Sequence, residues 1–222
     1  MPPNTKDGSR AKSAARCRLY LISPPEIGPG FLDQAAAALA AGDVACLQLR
    51  LKDASDDEIL RVGAQLLAIT QPADVALLIN DRPDLAAQIG ADGTHIGQSD
   101  ASYQDARDRV GADAIVGMTC HNSRHFAMEA AERGADYVAF GAFFGSPTKP
   151  AKFHAEIDLL EWWCSIFEIP CVAIGGITAK NCGPLVRAGA DFIAVVSAVW
   201  DHPEGSAAGV TALNAAIAEA LA

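Results

Sequence analysis

Eight short runs of apolar and β-branched residues, separated by longer segments of largely helical period, punctuate this chain from Cys17 onward. Such alternation is the pattern of repeated βα units and not of a sandwich, whose strands follow one another through turns. The predicted strands are Arg18–Ile22, Val44–Arg50, Val75–Ile79, Thr94–Ile96, Ala114–Gly117, Tyr137–Phe140, Cys171–Ile174 and Phe192–Val196. Eight is the number of parallel strands that closes a barrel, so the expected fold is α/β, a (β/α)8 TIM barrel forming one domain over residues 17–222. Amphipathic helices are expected between the strands, among them Asp33–Ala41, Asp56–Thr70, Ser123–Arg133 and Ala155–Phe167. The tripeptide Gly-Ala-Asp recurs at Gly90, Gly111, Gly134 and Gly189, where glycine can close a helix and a strand can follow. A doubly wound open sheet is the competing architecture. It ordinarily carries a G-x-G-x-x-G turn after its first strand, and here Ser23-Pro24-Pro25 stands in that turn.

Half of the 222 residues are apolar, enough to bury one substantial core. The net charge of -10, with no long basic run, argues against nucleic acid as a partner, because phosphate contacts need clustered Lys and Arg. Polar residues interrupt every apolar stretch before it reaches the roughly 18–20 residues a bilayer demands, so no membrane partner is expected. The six cysteines form no C-x-x-C pair, which suggests neither a zinc site nor a thioredoxin-type motif. Free thiols in a reducing cytoplasm fit that spacing, and no apolar signal segment opens the chain. Residues 1–16 have the composition of a disordered tail. Periodicity leaves homo-oligomerisation open.

Residues i, i+2 and i+4 of a strand share one face, so Gln48, Arg50 and Lys52 project together at the end of the second strand while Leu49 and Leu51 turn toward the helices. Two cations on the inward face of a barrel are costly unless an anion meets them, which points to an anionic ligand. Asn80-Asp81 ends the third strand, and Asp100 follows the fourth. Two carboxylates on adjacent loops suit a hard cation such as Mg²⁺, which takes one or two of them together with water and phosphate oxygens. Singly, either Asp could instead cap a following helix.

Thr119 follows the fifth strand, and residues 141–155 make a long loop containing Ser146, Pro147, Thr148 and Lys149, which could order over a ligand. Gly175-Gly176 and Val196-Ser197 stand at the ends of the seventh and eighth strands, where barrels commonly build a phosphate site. Thr178 and Ser197 could each cap a short helix there, though tight packing explains a Gly-Gly pair almost as well. His95 and His121 lie within reach of the same end, whereas His125, His154 and His202 read as surface residues. No Ser-His-Asp order occurs, and Cys120 and His121 are strand neighbours that point opposite ways.

Gln48-Leu49-Arg50-Leu51-Lys52, Ile79-Asn80-Asp81-Arg82, Gly93-Thr94-His95-Ile96-Gly97-Gln98-Ser99-Asp100, Thr148-Lys149 and Gly175-Gly176-Ile177 resemble, in order, the motifs of the thiamine phosphate synthase family. The likeness runs from about Leu19 to Ala198. It implies a transferase that joins a hydroxymethylpyrimidine diphosphate to a thiazole phosphate, with Mg²⁺ as cofactor and diphosphate as leaving group. By that resemblance Gln48, Arg50, Lys52, Asn80, Thr119 and Lys149 contact the pyrimidine diphosphate, and Asp81 and Asp100 hold Mg²⁺. Ser146, Pro147, Thr148, Gly176, Val196 and Ser197 line the thiazole phosphate, the last three largely through backbone groups. Arg50, Lys52 and Lys149 are the catalytic cations, stabilising charge on the leaving group, so no protein nucleophile is needed.

The chain departs from the family's usual pattern with Thr119 in place of Ser, Ser146 in place of Thr, and Gly145 where Pro is common. Each swap at a hydroxyl position keeps the hydroxyl, and pocket size and loop stiffness are what they change. Two rival readings follow from the same residues. One is a thiazole tautomerase-type isomerase using His121 as base, and the other a non-catalytic protein that binds thiamine precursors.

Overall fold

The structure is a computed structural model that describes residues 17–145 and 152–222. The segment 1–16 and the loop residues Ser146, Pro147, Thr148 and Lys149 lie outside the described residues. Eight parallel strands close on themselves in sequence order. They are β1 Arg18–Ile22, β2 Val44–Leu49, β3 Ala76–Asn80, β4 Gly93–Ile96, β5 Ile115–His121, β6 Tyr137–Gly141, β7 Cys171–Ile174 and β8 Phe192–Val195. The intervening helices are α1 Phe31–Ala40, α2 Asp56–Thr70, α3 Pro83–Ile89, α4 Tyr103–Val110, α5 Arg124–Arg133, α6 Ile157–Ile166 and α7 Gly183–Arg187, and α8 Ser197–Trp200 and α9 Ser206–Leu221 follow β8. The expected barrel is therefore the observed one.

The ends of elements moved by a residue or two where polar side chains interrupt the apolar pattern. β2 stops at Leu49, one residue before the predicted end at Arg50. β5 runs on through Thr119 to His121, with a register shift between those two residues. Thr119 is polar yet points into the barrel, so apolar patterning alone ended that strand early. α1 begins at Phe31 instead of Asp33 and α6 at Ile157 instead of Ala155.

Two apolar layers hold the barrel. Outward residues such as Leu47, Leu49, Leu77, Ile79, Val138 and Phe140 pack beneath the helices, while Tyr20, Ile22, Cys46, Leu78, Tyr137, Val172 and Ala194 fill the interior. The alternation along each strand sorts side chains between these layers. Tyr137 is one of two tyrosines in the interior, and a β-carbon on Gly117 of the neighbouring strand would fall inside its ring. Gly117 is thus the notch that receives Tyr137.

The Gly-Ala-Asp repeats clamp the N-terminal end of the barrel. Asp92, immediately before β4, donates its N–H to the Leu77 carbonyl at 3.0 Å and accepts the Leu77 N–H on its carboxylate at 2.7 Å. Asp136 holds Val116 in the same two-point way, at 3.0 and 2.8 Å, and Asp191 holds Cys171 at 3.1 and 2.8 Å. Each carboxylate satisfies a strand N–H that has no ladder partner below it. The copy at Gly111 departs from the expected pattern. Gly90 and Gly134 end their helices in the left-handed conformation, but Gly111 has ψ 171°, and Ala114 intervenes between Asp113 and β5. One residue too many puts that carboxylate out of reach, so Asp113 clamps nothing.

Candidate active site

Polar side chains gather at the other end of the barrel, where the strands stop. Gln48 is 2% exposed and faces inward, while Leu49 and Leu51 pack into the helical layer as the alternation requires. Its Nε2 donates to Asn80 Oδ1 at 2.8 Å, and Asn80 Nδ2 donates to Asp81 Oδ2 at 2.6 Å. Lys52, in the turn beyond β2 and half exposed, closes this run with an ion pair to Asp81 Oδ2 at 3.0 Å. The stripe therefore follows the expected face, but its lysine is matched by a carboxylate of the protein. Arg50 is different. Its backbone N–H is anchored on Ser23 Oγ at 2.9 Å, and among the described residues its guanidinium has no acceptor.

Asp81 is held in the left-handed region, at φ 59°, with its N–H donating to the His95 carbonyl at 2.8 Å. Backbone conformations of that kind persist only where surroundings enforce them. Asp100 reaches back so that its Oδ2 accepts the Gly97 N–H at 3.1 Å. A β-carbon on Gly97 would strike that carboxylate and would stand 4.0 Å from Asp81 Oδ1, so the two acids converge over a residue with no side chain. Burial first, and then the neighbouring Asp81, push the Asp100 carboxyl above the usual carboxylate range, and Lys52 opposes that shift. Neither acid caps a helix. Arg82 and Ser102 occupy the N-cap positions of α3 and α4, which removes the capping explanation for both.

Two crowded carboxylates fit a hard divalent cation, since such an ion relieves their repulsion. No group of three or more His, Cys, Asp or Glu that could hold a metal occurs among the described residues. An ion here would complete its shell with water and ligand oxygens, which is the habit of Mg²⁺.

The remaining site residues divide into those brought to this mouth and those given other work. Thr119 accompanies the acids, its hydroxyl 2.8 Å from His95 Nε2 and its carbonyl accepting Gln98 Nε2. His95 is buried with both ring nitrogens occupied, and burial pushes its pKa down to about 4. It is held inside the barrel and presents no free edge to a ligand. His121 has φ 52° and stacks on Phe153 at 4.4 Å between ring centroids. Cys120 faces away from it into the helical layer, and burial lifts its thiol to about 12, as the opposed strand directions required. Arg82, although inside the Ile79-Asn80-Asp81-Arg82 motif, turns outward to pair with Asp56 and Asp84.

At the ends of β7 and β8 the structure corrects the capping assignments. Thr178 caps nothing: its N–H donates to Asn181 Oδ1 at 2.7 Å, and α7 starts later, at Gly183. Ser197 is the first residue of α8 and Val196 its N-cap, with no side-chain cap bond. The first N–H groups of any helix lack an intrahelical acceptor, so those of Ser197 and Ala198 remain for another partner. Gly175 and Gly176 have φ 109° and 61°, and side chains there would collide with Ala142, Phe144 and Gly145. The pair lets the segment after β6 lie against the end of β7, where Phe143 and Phe144 donate to the carbonyls of Ile174 and Gly175 at 3.1 and 3.0 Å.

Sequence reasoning missed the contribution of Tyr20, Tyr137, Ser23 and Gln98 to this site. Their signal was weak. A tyrosine in a strand reads as core, and only the glycine at position 117, inside a strand, marks the space a large ring occupies.

Known proteins resemble this chain along most of its length. The family described as thiamine monophosphate synthase (TMP-TENI) matches residues 19–199. The thiamine-phosphate synthase of Rhodospirillum centenum is 59% identical over 199 residues, covering 89% of this chain and 96% of the relative. That of Hyphomonas neptunium is 53% identical over 213 residues, covering 92% and 96%. Among solved structures, thiamine phosphate pyrophosphorylase from Pyrococcus furiosus superposes with a TM-score of 0.81 at 29% identity, covering 94% of this chain and 99% of the other. With the match running from β1 into α8, the chain belongs to the thiamine monophosphate synthase family.

Proposed function

We propose that this protein is a thiamine-phosphate synthase that transfers a hydroxymethylpyrimidine group from its diphosphate to the nitrogen of a thiazole phosphate, releasing diphosphate. The observation that carries the proposal is the convergence of Asp81 and Asp100 beside Lys52 and an Arg50 guanidinium with no acceptor among the described residues. A site with acids for a cation and cations for an anion suits a metal-bound diphosphate.

Departure of diphosphate takes the bonding electron pair to the leaving oxygen and leaves a methylene cation that the electron-rich aminopyrimidine ring stabilises, while negative charge grows on the leaving oxygens. Arg50 and Lys52 face that charge and stabilise it electrostatically. Asp81 and Asp100 would hold Mg²⁺, which when bound supplies further charge stabilisation at the diphosphate oxygens. Gln48 and Asn80, linked to each other and to Asp81, fix the orientation of the pyrimidine diphosphate. By family resemblance Thr119 and Lys149 complete that set, and Ser146, Pro147, Thr148, Gly176, Val196 and Ser197 receive the thiazole phosphate. Holding the thiazole nitrogen in line with the methylene supplies the proximity that replaces a protein nucleophile. No helix among the described residues is long and apolar enough to cross a membrane. The cysteines form no disulfide among the described residues, which fits work in a reducing cytoplasm.

Purified protein incubated with both phosphorylated precursors and Mg²⁺ is expected to form thiamine phosphate and diphosphate in equal amounts. Binding of either precursor without product would overturn the proposal. Asp81→Ala is expected to lower kcat/KM by about 10²-fold or more, as loss of a transition-state charge contact does. Wild-type turnover in that variant would remove Asp81 from the metal site.

A further inference from the structure

We infer that a buried relay, Tyr20 to Tyr137 to His95, fixes which way the Thr119 hydroxyl points and aims its proton at the bound diphosphate. The inference rests on the reading above that the diphosphate lies against Thr119.

Three hydrogen bonds run in series through the barrel. Tyr20 Oη lies 2.9 Å from Tyr137 Oη, Tyr137 Oη lies 2.8 Å from His95 Nδ1, and His95 Nε2 lies 2.8 Å from Thr119 Oγ1. Tyr20, Tyr137 and His95 are 4%, 6% and 9% exposed. The interior around them is apolar, with Ile22, Leu78, Val172 and Ala194 as neighbours, and among the described residues no carboxylate is hydrogen-bonded to the imidazole, on which Asp81 and Arg50 act in opposite senses. A neutral imidazole there has one N–H and one lone pair. The His95 tautomer therefore sets the direction of the Thr119 bond, and with the tyrosine hydroxyls donating in series the relay has two opposed states. In the first, Tyr20 donates to Tyr137, Tyr137 donates to Nδ1, Nε2–H donates to Thr119 Oγ1, and the Thr119 proton faces the mouth. In the second every bond is reversed, and the Thr119 proton is spent on His95.

An anion at the mouth selects between them. In the first state every O–H and N–H dipole along the series points toward the negative charge, and aligned bonds polarise one another. In the second all of them oppose it. Tyr137 and Tyr20 are therefore positioning residues. They touch no substrate, and they act by holding His95 in the Nε2–H tautomer, so that Thr119 donates to an oxygen that gains charge as the bond breaks. Gly117 belongs to the same device, because it makes the notch that seats the Tyr137 ring.

Two measurements test this. In protein carrying ¹⁵N-labelled histidine, long-range ¹H–¹⁵N correlation with Mg²⁺ and inorganic diphosphate present should show His95 protonated at Nε2, and the Nδ1–H tautomer overturns the relay. This experiment needs neither a variant nor turnover. In kinetics, Tyr137→Phe keeps the ring and deletes the donor, and is expected to lower kcat on the order of tenfold, less than the 10²–10³ of deleting a contacting donor outright. KM for the pyrimidine diphosphate should change less than kcat, staying within about threefold, because the Thr119 bond strengthens as charge grows on the leaving oxygen. In a Thr119→Val background the same Tyr137→Phe change should have no further effect, because the relay acts only through that hydroxyl. Equal loss in both backgrounds would mean a merely structural tyrosine and would overturn the inference. Undiminished turnover in Thr119→Val alone would instead refute the placement of diphosphate against Thr119, and the inference would fall with that placement.

Discussion

Asp191→Ala tests the clamp at the base of the barrel, and a second copy of the same tripeptide supplies its own control. The Asp191 carboxylate accepts the Cys171 N–H at 2.8 Å, and Cys171 is 0% exposed. Removing the acceptor leaves a buried N–H bare. A charge-assisted bond of this kind is worth about 1.5–3 kcal/mol. Asp191 itself is half-buried, so water recovers part of the loss and the lower half of that range applies, about 1.5–2 kcal/mol. For a domain of this size each kcal/mol moves Tm by roughly 2–4 °C, so a fall of about 3–8 °C is expected. Asp191→Asn keeps an acceptor oxygen and should cost less than half as much.

Asp113→Ala changes the same residue type in the same Gly-Ala-Asp context but deletes no clamp, and should stay within about 0.5 kcal/mol of wild type. Urea unfolding followed by circular dichroism separates the two: Asp191→Ala should lower the midpoint with an unchanged slope. Equal losses for Asp191→Ala and Asp113→Ala would refute the argument. They would mean that the tripeptide stabilises through its turn and not through the carboxylate-to-strand bond.

Two further predictions concern the interior. Gly117→Ala drives a methyl into the Tyr137 ring, and should destabilise by about 1–3 kcal/mol in urea melts, while Gly28→Ala, with open space around it, should be near neutral; equal effects would show that Tyr137 does not fill that notch. His95 has its pKa lowered from 6.5 to about 4, chiefly by burial, so between those values the unfolded chain takes a proton that the folded protein refuses. Its contribution is complete above pH 6.5 and fades as pH falls toward 4, by about 3 kcal/mol in the metal-free protein, and a wild-type midpoint no more acid-sensitive than that of His95→Gln would sink the claim.

The parts of this molecule that were legible from sequence are those governed by a period. Alternation along each strand sent Gln48 inward and Leu49 outward, and strand ends collected Asn80, Asp81, Asp100 and Thr119 at one mouth, because parallel strands all finish on the same side. What was not legible depends on distances between strands far apart in sequence. Nothing local to Tyr20 announces that its hydroxyl meets that of Tyr137, 117 residues away. Nothing in the Gly-Ala-Asp repeat distinguishes Asp113 from its clamping counterparts until the extra residue before β5 is counted against the register of the neighbouring strand. The caps assigned to Thr178 and Ser197 failed for a related reason. A hydroxyl near a helix start satisfies the local rule, but Asn181 and Val196 hold the geometry that decides it.

The same distinction explains why the charged stripe was read only half correctly as an anomaly. Two inward cations demand compensation whatever their surroundings, so a pattern rule suffices to flag them. Which cation the protein neutralises itself depends on the reach of a side chain across loops: Lys52 finds Asp81, and Arg50 finds no acceptor among the described residues. The asymmetry has a chemical consequence. A guanidinium with no acceptor among the described residues can give its whole hydrogen-bonding edge to a phosphate. A lysine shared with a carboxylate exchanges one anion for another, so Lys52 is tied to the state of Asp81 and any ion held there. Arg50 should therefore dominate diphosphate affinity, and the contribution of Lys52 should be the one that changes when Mg²⁺ is added in a diphosphate-binding titration.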